Sequence, residues 1–142
     1  TTPIWFTITT KYRDLDGTGN FKAVYLQLRD PNSGIRPLFI QYWQETNRLY
    51  MYDDATGKWR GGRVIGDPNE GSVYGTYAIL NARESSKVVD PDTKTLTINW
   101  RVLLRDGGLV PSARYYKRVF ARDMSNATSG WTGGVGYVDV TN

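Results

Sequence analysis

The feature that most constrains this chain is a two-residue alternation of apolar and polar side chains. Apolar residues occupy every second position in several segments, for example Val24, Leu26 and Leu28, and again Leu96, Ile98 and Trp100. Successive side chains of an extended strand point to opposite faces, so this pattern places one face on a core and the other in water. Helical spacing of apolar residues is not sustained over any window of about a dozen residues. The alternation therefore predicts an all-β chain.

Clusters of Asp, Gly, Pro and Asn interrupt the alternation every 8–15 residues or so, the spacing typical of a β-sandwich or barrel. We predict one domain over residues 1–142, an antiparallel two-sheet sandwich with about 8–9 strands. Short loops predict hairpins between 37–44 and 48–53, and between 94–104 and 113–122. The remaining strands are expected near residues 4–13, 21–29, 59–65, 73–80 and 131–140.

The composition argues against most catalytic machinery. The chain has no histidine and no cysteine, so neither a Ser-His-Asp or Cys-His arrangement nor a Cys/His zinc site is possible. A pair of carboxylates of the kind that glycosidases use is still chemically possible. Most acids, however, fall in turn-like segments such as Asp67-Pro68-Asn69, Asp90-Pro91-Asp92 and Asp106-Gly107-Gly108, where Asp is a turn former. We therefore expect a non-catalytic protein that requires no cofactor.

Charge and hydropathy bear on the partners. No apolar run approaches the 20 or so residues that cross a bilayer, so no membrane insertion is expected. The net charge of +4 comes from cations that are mostly scattered, which makes nucleic acid an improbable partner. The densest group is Arg114, Lys117, Arg118 and Arg122, and in a strand Arg118 and Arg122 share one face.

Oxygen-bearing side chains alternate in the segment that contains Asp14, Asp16, Thr18 and Asn20. Such side chains can converge on a calcium ion, Ca²⁺, and Gly19 suits a tight loop. The twelfth position of an EF-hand loop would hold a bidentate Glu, but here it is Tyr25, so a complete EF-hand is excluded. The alternative is a turn whose Asp and Asn side chains bond their own backbone.

Aromatic residues concentrate in and after the hairpin of residues 37–53. The candidate ligand-binding residues are Trp43, Tyr50, Tyr52 and Trp59. Alternation places Leu49 and Met51 on the core, which turns Tyr50 and Tyr52 outward. Exposed aromatic rows stack on sugar rings or proline helices, whereas the alternative is ordinary core and cross-strand packing.

Two backbone features complete the residue-level predictions. Residues 1–12 are β-rich and apolar on one face, so they either pair within the domain or complete a neighbouring subunit's sheet. The pair Gly61-Gly62 is not followed by a helix, which argues against a nucleotide loop and indicates a bulge or a close backbone approach.

Several ordered motifs resemble a repeat found in large bacterial surface proteins, with immunoglobulin-like or fibronectin-III-like folds. They are Asp14-Leu15-Asp16-Gly17, Asn47 to Asp54 before Trp59, Leu80-Asn81-Ala82-Arg83, Lys94 to Trp100, and Val119 to Asp123 followed by Ser129-Gly130-Trp131. The resemblance covers about residues 12–140. It implies an extracellular or cell-surface module whose partners are neighbouring domains or subunits.

Two functions are thus expected from the sequence. The first is a structural or adhesive module of a surface protein, with packing into a filament and self-association through its N-terminal strand as options. The second is a carbohydrate-binding module that uses exposed aromatics to hold a polysaccharide, with structural calcium as an option.

Overall fold

The fold is known from a computed structural model, which describes residues 4–14, 17, 19, 21–105, 114–124 and 137–139. Those residues form β-strands joined by turns, and none of them is in an α-helix. The strands are β1 Trp5–Arg13, β2 Phe21–Arg29, β3 Leu38–Trp43, β4 Arg48–Asp53, β5 Lys58–Val64, β6 Ser72–Tyr74, β7 Ala78–Asn81, β8 Ser86–Asp90, β9 Thr95–Leu104, β10 Arg114–Asp123 and β11 Tyr137–Asp139.

The strands form two antiparallel sheets. The five-stranded sheet has the order β1-β9-β7-β6, with β8 also paired to β9. Strands β7 and β8 lie end to end along one edge of β9, because β8 pairs with its residues 95–99 and β7 with its residues 102–104. The six-stranded sheet has the order β11-β10-β2-β3-β4-β5. The predicted all-β, two-sheet architecture is therefore confirmed.

One hydrophobic core lies between the sheets and draws side chains from both. Leu96, Ile98 and Trp100 of β9 have no exposed surface, as predicted from the alternation. Leu26 and Ile40 of the six-stranded sheet are equally buried against them. Burial of apolar surface is the main stabilising contribution in a domain that has no disulfide.

A chain of buried hydrogen bonds ties the two sheets together through this core. The indole Nε1–H of Trp100 donates to Thr10 Oγ1 at 2.8 Å, and the Thr10 hydroxyl donates to Tyr12 Oη at 3.0 Å. Tyr12 in turn donates to the backbone oxygen of Tyr25, across the core, at 2.7 Å. Burial raises the pKa of the Tyr12 phenol well above its ordinary value, so this hydroxyl stays a donor.

The hairpin predicted between 37–44 and 48–53 is confirmed as β3 and β4, but the one between 94–104 and 113–122 is wrong. Strand β9 pairs with β1, β7 and β8, whereas β10 belongs to the other sheet and pairs with β2 and β11. The nine residues between Leu104 and Arg114 can span about 30 Å when extended. That reach exceeds the roughly 10 Å between stacked sheets, so the connection can change sheets.

Two further differences concern short strands. The strand expected over 73–80 is the hairpin of β6 and β7, closed by a hydrogen bond from the Gly75 amide to the Ala78 oxygen at 2.9 Å. Strand β8 was not predicted, and all five of its residues are exposed. The described residues alone form eleven strands, which is more than the eight or nine expected.

The predicted role of aspartates as turn formers is confirmed where the chain is described. Asp30, Asp67 and Asp90 each precede a proline and accept a hydrogen bond from the amide two residues further on, at 2.9–3.0 Å. These amide donors hold the pKa of Asp30 below its ordinary value, and the Thr93 donors do the same for Asp90. Asp106-Gly107-Gly108 lies outside the described residues.

Candidate ligand-binding face

The outer faces of the two sheets differ in chemistry. The outer face of the five-stranded sheet is mixed: it carries polar side chains such as Thr7, Thr9 and Asn99, with a hydrogen bond of 2.8 Å between Thr9 Oγ1 and Asn99 Oδ1, and the apolar cross-strand neighbours Trp5, Leu103 and Ile79. The outward positions of the six-stranded sheet carry aromatic rings and arginines instead.

Five aromatic rings make a continuous row across the six-stranded sheet, which we call the aromatic ribbon. In order, the centroids are 5.3 Å apart for Phe120 and Tyr25, 6.3 Å for Tyr25 and Phe39, and 5.7 Å for Phe39 and Tyr52. Trp59 closes the row at 5.3 Å from both Phe39 and Tyr52. The ribbon crosses β10, β2, β3, β4 and β5, which spans about 19 Å at the usual strand spacing.

Strand register is what aligns these rings. Phe120 is paired with Tyr25, and Tyr52 with Trp59, so the members of each pair point to the same face. Ile40 pairs with Met51 on the core side, which brings their neighbours Phe39 and Tyr52 together on the outer side. The alternation that buries the core thus builds the ribbon on the opposite face.

The ribbon is accessible mainly at its Trp59 end. Trp59 is 43% exposed, and Phe39 and Tyr52 are partly exposed. Tyr25, in contrast, is only 8% exposed. Burial raises the pKa of the Tyr25 phenol, and the positive charge of Arg122 partly offsets that rise.

Arg36 lies over the exposed half of the ribbon. Its guanidinium carbon is 4.9 Å from the Phe39 ring centroid and 5.3 Å from that of Tyr52, the geometry of cation–π contacts. Asp54 holds this guanidinium in place with an ion pair of 2.7 Å. The arrangement puts planar hydrogen-bond donors directly beside flat apolar rings.

The structure places the four predicted ligand-binding residues on this outer face. Leu49 and Met51 are buried as expected, so Tyr50 and Tyr52 point outward. Tyr52 and Trp59 belong to the ribbon. Trp43 and Tyr50 do not join its ring contacts within the described residues. Trp43 has the Lys22 ammonium 5.8 Å from its ring, and Tyr50 lies beside Gly62.

Sequence reasoning missed four members of this surface: Tyr25, Phe39, Phe120 and Arg36. A signal for Tyr25 was present, since it alternates with the core residues Val24 and Leu26. The contribution of Phe120 depends on the pairing of β2 with β10, strands separated by more than eighty residues. Such long-range pairing is not encoded in any local pattern.

The calcium prediction rests mostly on residues outside the described ranges, namely Asp16, Thr18 and Asn20. Asp14 is described, and its backbone oxygen accepts a hydrogen bond from the Gly17 amide at 2.9 Å. Among the described residues, no group of three acids, histidines or cysteines is positioned to hold a metal ion. Calcium binding by this loop therefore stays a prediction.

The residues of the predicted basic group lie on both faces of strand β10. Arg118 and Arg122 pair with Gln27 and Ala23 on the outer face, as expected from their spacing. Lys117 pairs with Leu28, whose side chain is in the core, so it occupies the opposite side of the strand. Arg114 begins the strand. Arg118 and Arg122 thus add positive charge to the outer face that carries the ribbon.

The Gly61-Gly62 pair forms a bulge in the edge strand β5, as predicted. The register with β4 shifts there, because Tyr50 pairs with Gly61 while Leu49 pairs with Arg63. Gly61 has φ of 121°, and an added Cβ would come within 2.8 Å of the Leu49 backbone oxygen. Only glycine fits this close approach.

Asp53, at the end of β4, is a buried carboxylate that joins the two sheet edges. Its Oδ2 accepts hydrogen bonds from Thr76 Oγ1 at 2.9 Å and from Arg60 Nε at 3.3 Å, and its Oδ1 accepts one from the Ala55 amide. Burial alone would raise the pKa of this carboxyl group. The donors, led by Thr76, outweigh burial and hold the pKa below its ordinary value.

We expect Asp53 to make the domain sensitive to acid. The folded-state pKa is lowered, so its stabilising contribution is present above the unfolded pKa of about 4 and is lost as pH falls through the folded value. Asp53→Asn should lower the free energy of unfolding at pH 7 and lower it less at pH 2.5. Urea unfolding of both proteins at the two pH values measures this difference, and a pH-independent difference would contradict it.

We found no protein-family model, no curated protein and no solved structure with significant similarity to this chain. The described residues contain no helix of the length and hydropathy that a membrane span requires.

Proposed function

We propose that the chain is a non-catalytic, immunoglobulin-like module that adheres to carbohydrate through the aromatic ribbon. The observation that carries the proposal is the unbroken row of five rings on the outside of one sheet.

The strand order supports the immunoglobulin-like part of the proposal. In that fold, strands B, E and D are neighbours in one sheet, and strands G, F and C are neighbours in the other, with C′ and C″ added in variable-type domains. Here β1, β9 and the β7–β8 edge would be B, E and D. Strands β11, β10 and β2 would be G, F and C, followed by β3 and β4 as C′ and C″.

A carbohydrate suits this surface because flat aromatic rings can pack against the C–H faces of sugar rings, while hydrogen bonds orient the hydroxyl groups. Trp59, Tyr52 and Phe39 supply exposed ring surface, and Arg36 supplies donors beside it. The non-catalytic reading is supported by the residue types that are missing, since the chain has no histidine and no cysteine.

The same proposal includes a location and a set of partners. A glycan-binding adhesive module would act outside the cell or at the cell surface, joined to neighbouring domains or subunits. The resemblance of the sequence motifs to bacterial surface repeats supports this placement.

Trp59→Ala is expected to reduce affinity for a bound polysaccharide about thirtyfold, since truncating an aromatic hot spot costs about 2 kcal/mol. Affinity electrophoresis on a panel of neutral and acidic polysaccharides should first identify a retaining glycan, and isothermal titration should then quantify the loss. Trp5→Ala is the matched control, because Trp5 lies on the outer face of the five-stranded sheet.

Equal losses in the two tryptophan variants, or no retention by any polysaccharide, would overturn the proposal. Sedimentation over a range of concentrations belongs in the same experiment. If Trp59→Ala abolished a concentration-dependent dimer instead of glycan binding, the ribbon would be an interface between copies of the chain.

One observation favours self-association as a second function. Strand β1 is paired over its whole length with β9 within the domain, but it stands at the edge of the five-stranded sheet. An edge strand of nine residues is a template for pairing with another chain. Dimerisation that survives Trp59→Ala would support assembly through this edge, and a monomer at all concentrations would count against it.

A further inference from the structure

The glycine bulge in β5 has a consequence for the side chains on either side of it. In a regular strand, residues 60 and 63 would point to opposite faces. Here Arg60 pairs with Met51 and Arg63 pairs with Leu49, two core-facing residues of β4. The extra residue in the bulge therefore turns both arginines to the same side of the strand.

Both arginines line a cleft between the edge strands of the two sheets. The cleft has a volume of about 260 Å³, and its other walls are Gly61, Gly62, Ser72, Val73 and Tyr74. Val73 packs against Gly61, where the missing side chain lets β6 approach β5. Tyr74 is 61% exposed at the margin and offers one more aromatic ring.

The two guanidinium groups keep capacity for a ligand. The Arg60 and Arg63 side chains are 45% and 49% exposed. Within the described residues each makes one ion pair, Arg60 Nε with Asp53 at 3.3 Å and Arg63 Nη1 with Glu70 at 3.5 Å. A guanidinium has five N–H donors, so most of them stay available.

The acids beside these arginines do not close the cleft to an anion. Asp53 is buried and is also bonded to Thr76 and Ala55, so it does not depend on Arg60 alone. The long Arg63–Glu70 contact joins partly exposed groups and is of the weak kind that a ligand can displace. Arg48, which donates to the Gly62 oxygen, brings a third positive charge to the bulge.

The cleft lies at the same sheet edge at which the aromatic ribbon ends. The ribbon ends at Trp59, the residue before Arg60, and β5 is the last strand of its sheet. A chain-like ligand lying along the ribbon would pass over this edge and reach the cleft. A planar carboxylate or a sulfate is the group that arginine recognises best, through paired N–H donors.

We propose that the Arg60–Arg63 cleft is an oxyanion subsite, which makes the preferred ligand of the ribbon an acidic polysaccharide bearing uronate or sulfate groups. This inference rests on the proposed carbohydrate-binding function for the identity of the polymer.

Two titrations test the subsite without reference to the ribbon. The probes are potassium sulfate and sodium glucuronate, added at constant ionic strength set with chloride, while the amide resonances of Gly61, Gly62 and Ser72 are followed by NMR. Saturable shifts are expected in the native chain, and at least about tenfold weaker binding in Arg63→Gln.

Arg101→Gln is the matched control, since Arg101 makes a comparable ion pair with Glu84 on the other sheet. The absence of saturable shifts, or equal binding by both variants, would overturn the subsite.

A second pair of probes separates this inference from the proposed function. A galacturonate oligosaccharide should bind about tenfold more tightly than its methyl ester, and Arg63→Gln should remove that preference. Equal affinity for the two forms, with both lost in Trp59→Ala, would overturn the acidic preference but leave carbohydrate binding standing. Binding to neither form would count against the proposed function. Tighter binding of a single-stranded oligonucleotide of equal charge would overturn the assignment to an acidic glycan.

Discussion

Gly61→Ala is expected to lower the free energy of unfolding by about 2–4 kcal/mol, a large effect for the addition of one methyl group. The added Cβ would lie 2.8 Å from the backbone oxygen of Leu49 and 3.2 Å from Val73 Cγ2. The first of these neighbours is backbone in the middle of a sheet, so it cannot move aside at low cost. The φ of 121° adds strain for any residue with a side chain.

Gly71→Ala is the control for this substitution. An added Cβ at Gly71 meets nothing within 4 Å, and no positive φ is required there. We expect Gly71→Ala to be neutral, or to stabilise by a few tenths of a kcal/mol by restricting the unfolded chain. Urea unfolding followed by tryptophan fluorescence measures both. Similar free energies for the two variants would show that the bulge tolerates a side chain.

The second large effect is expected for Thr10→Val, which keeps the size of the side chain but removes its hydroxyl. Trp100 would lose the acceptor of its indole N–H, and Tyr12 would lose a donor, both in the core between the sheets. A buried donor left without a partner costs about 1–3 kcal/mol. With two bonds affected, we expect a loss of about 2–4 kcal/mol in the free energy of unfolding.

The neighbouring residue gives the control for Thr10→Val. Thr9 is exposed and bonds Asn99 on the outer face, where water can replace the lost partner. Thr9→Val is therefore expected to change stability by no more than about 0.5 kcal/mol. If both variants lost the same stability, the buried chain of hydrogen bonds would not be what joins the sheets.

The fold was predictable wherever burial is one-sided. Strand β9 shows this best, since Leu96, Ile98, Trp100 and Val102 alternate with partly exposed residues over its full length. The same rule gave the outward direction of Tyr50 and Tyr52, and the short loop between β3 and β4 identified their hairpin. In each case, local chain geometry and the hydrophobic effect act on neighbouring residues, so a short window contains the information.

Prediction failed where the outcome depends on distant parts of the chain. Strand β8 has exposed residues on both faces, so no alternation marks it, and it forms only because β9 offers a free edge. Strand β10 pairs with β2 in the six-stranded sheet and not with β9, so its position depends on how both sheets are assembled. The candidate site shares this limit, because the ribbon combines residues from five strands and the sequence window around Trp59 contains only part of them.

The pairing of β1 with β9 has a consequence for how the chain is made. Thr9 lies opposite Asn99, and Tyr25 lies opposite Phe120, so each sheet needs segments from both halves of the chain. During synthesis from the N-terminus, the β2–β5 meander can pair locally, while β1 has to wait until β9 leaves the ribosome. The five-stranded sheet is thus expected to form late and cooperatively, and β1 stays unpaired until β9 has been translated.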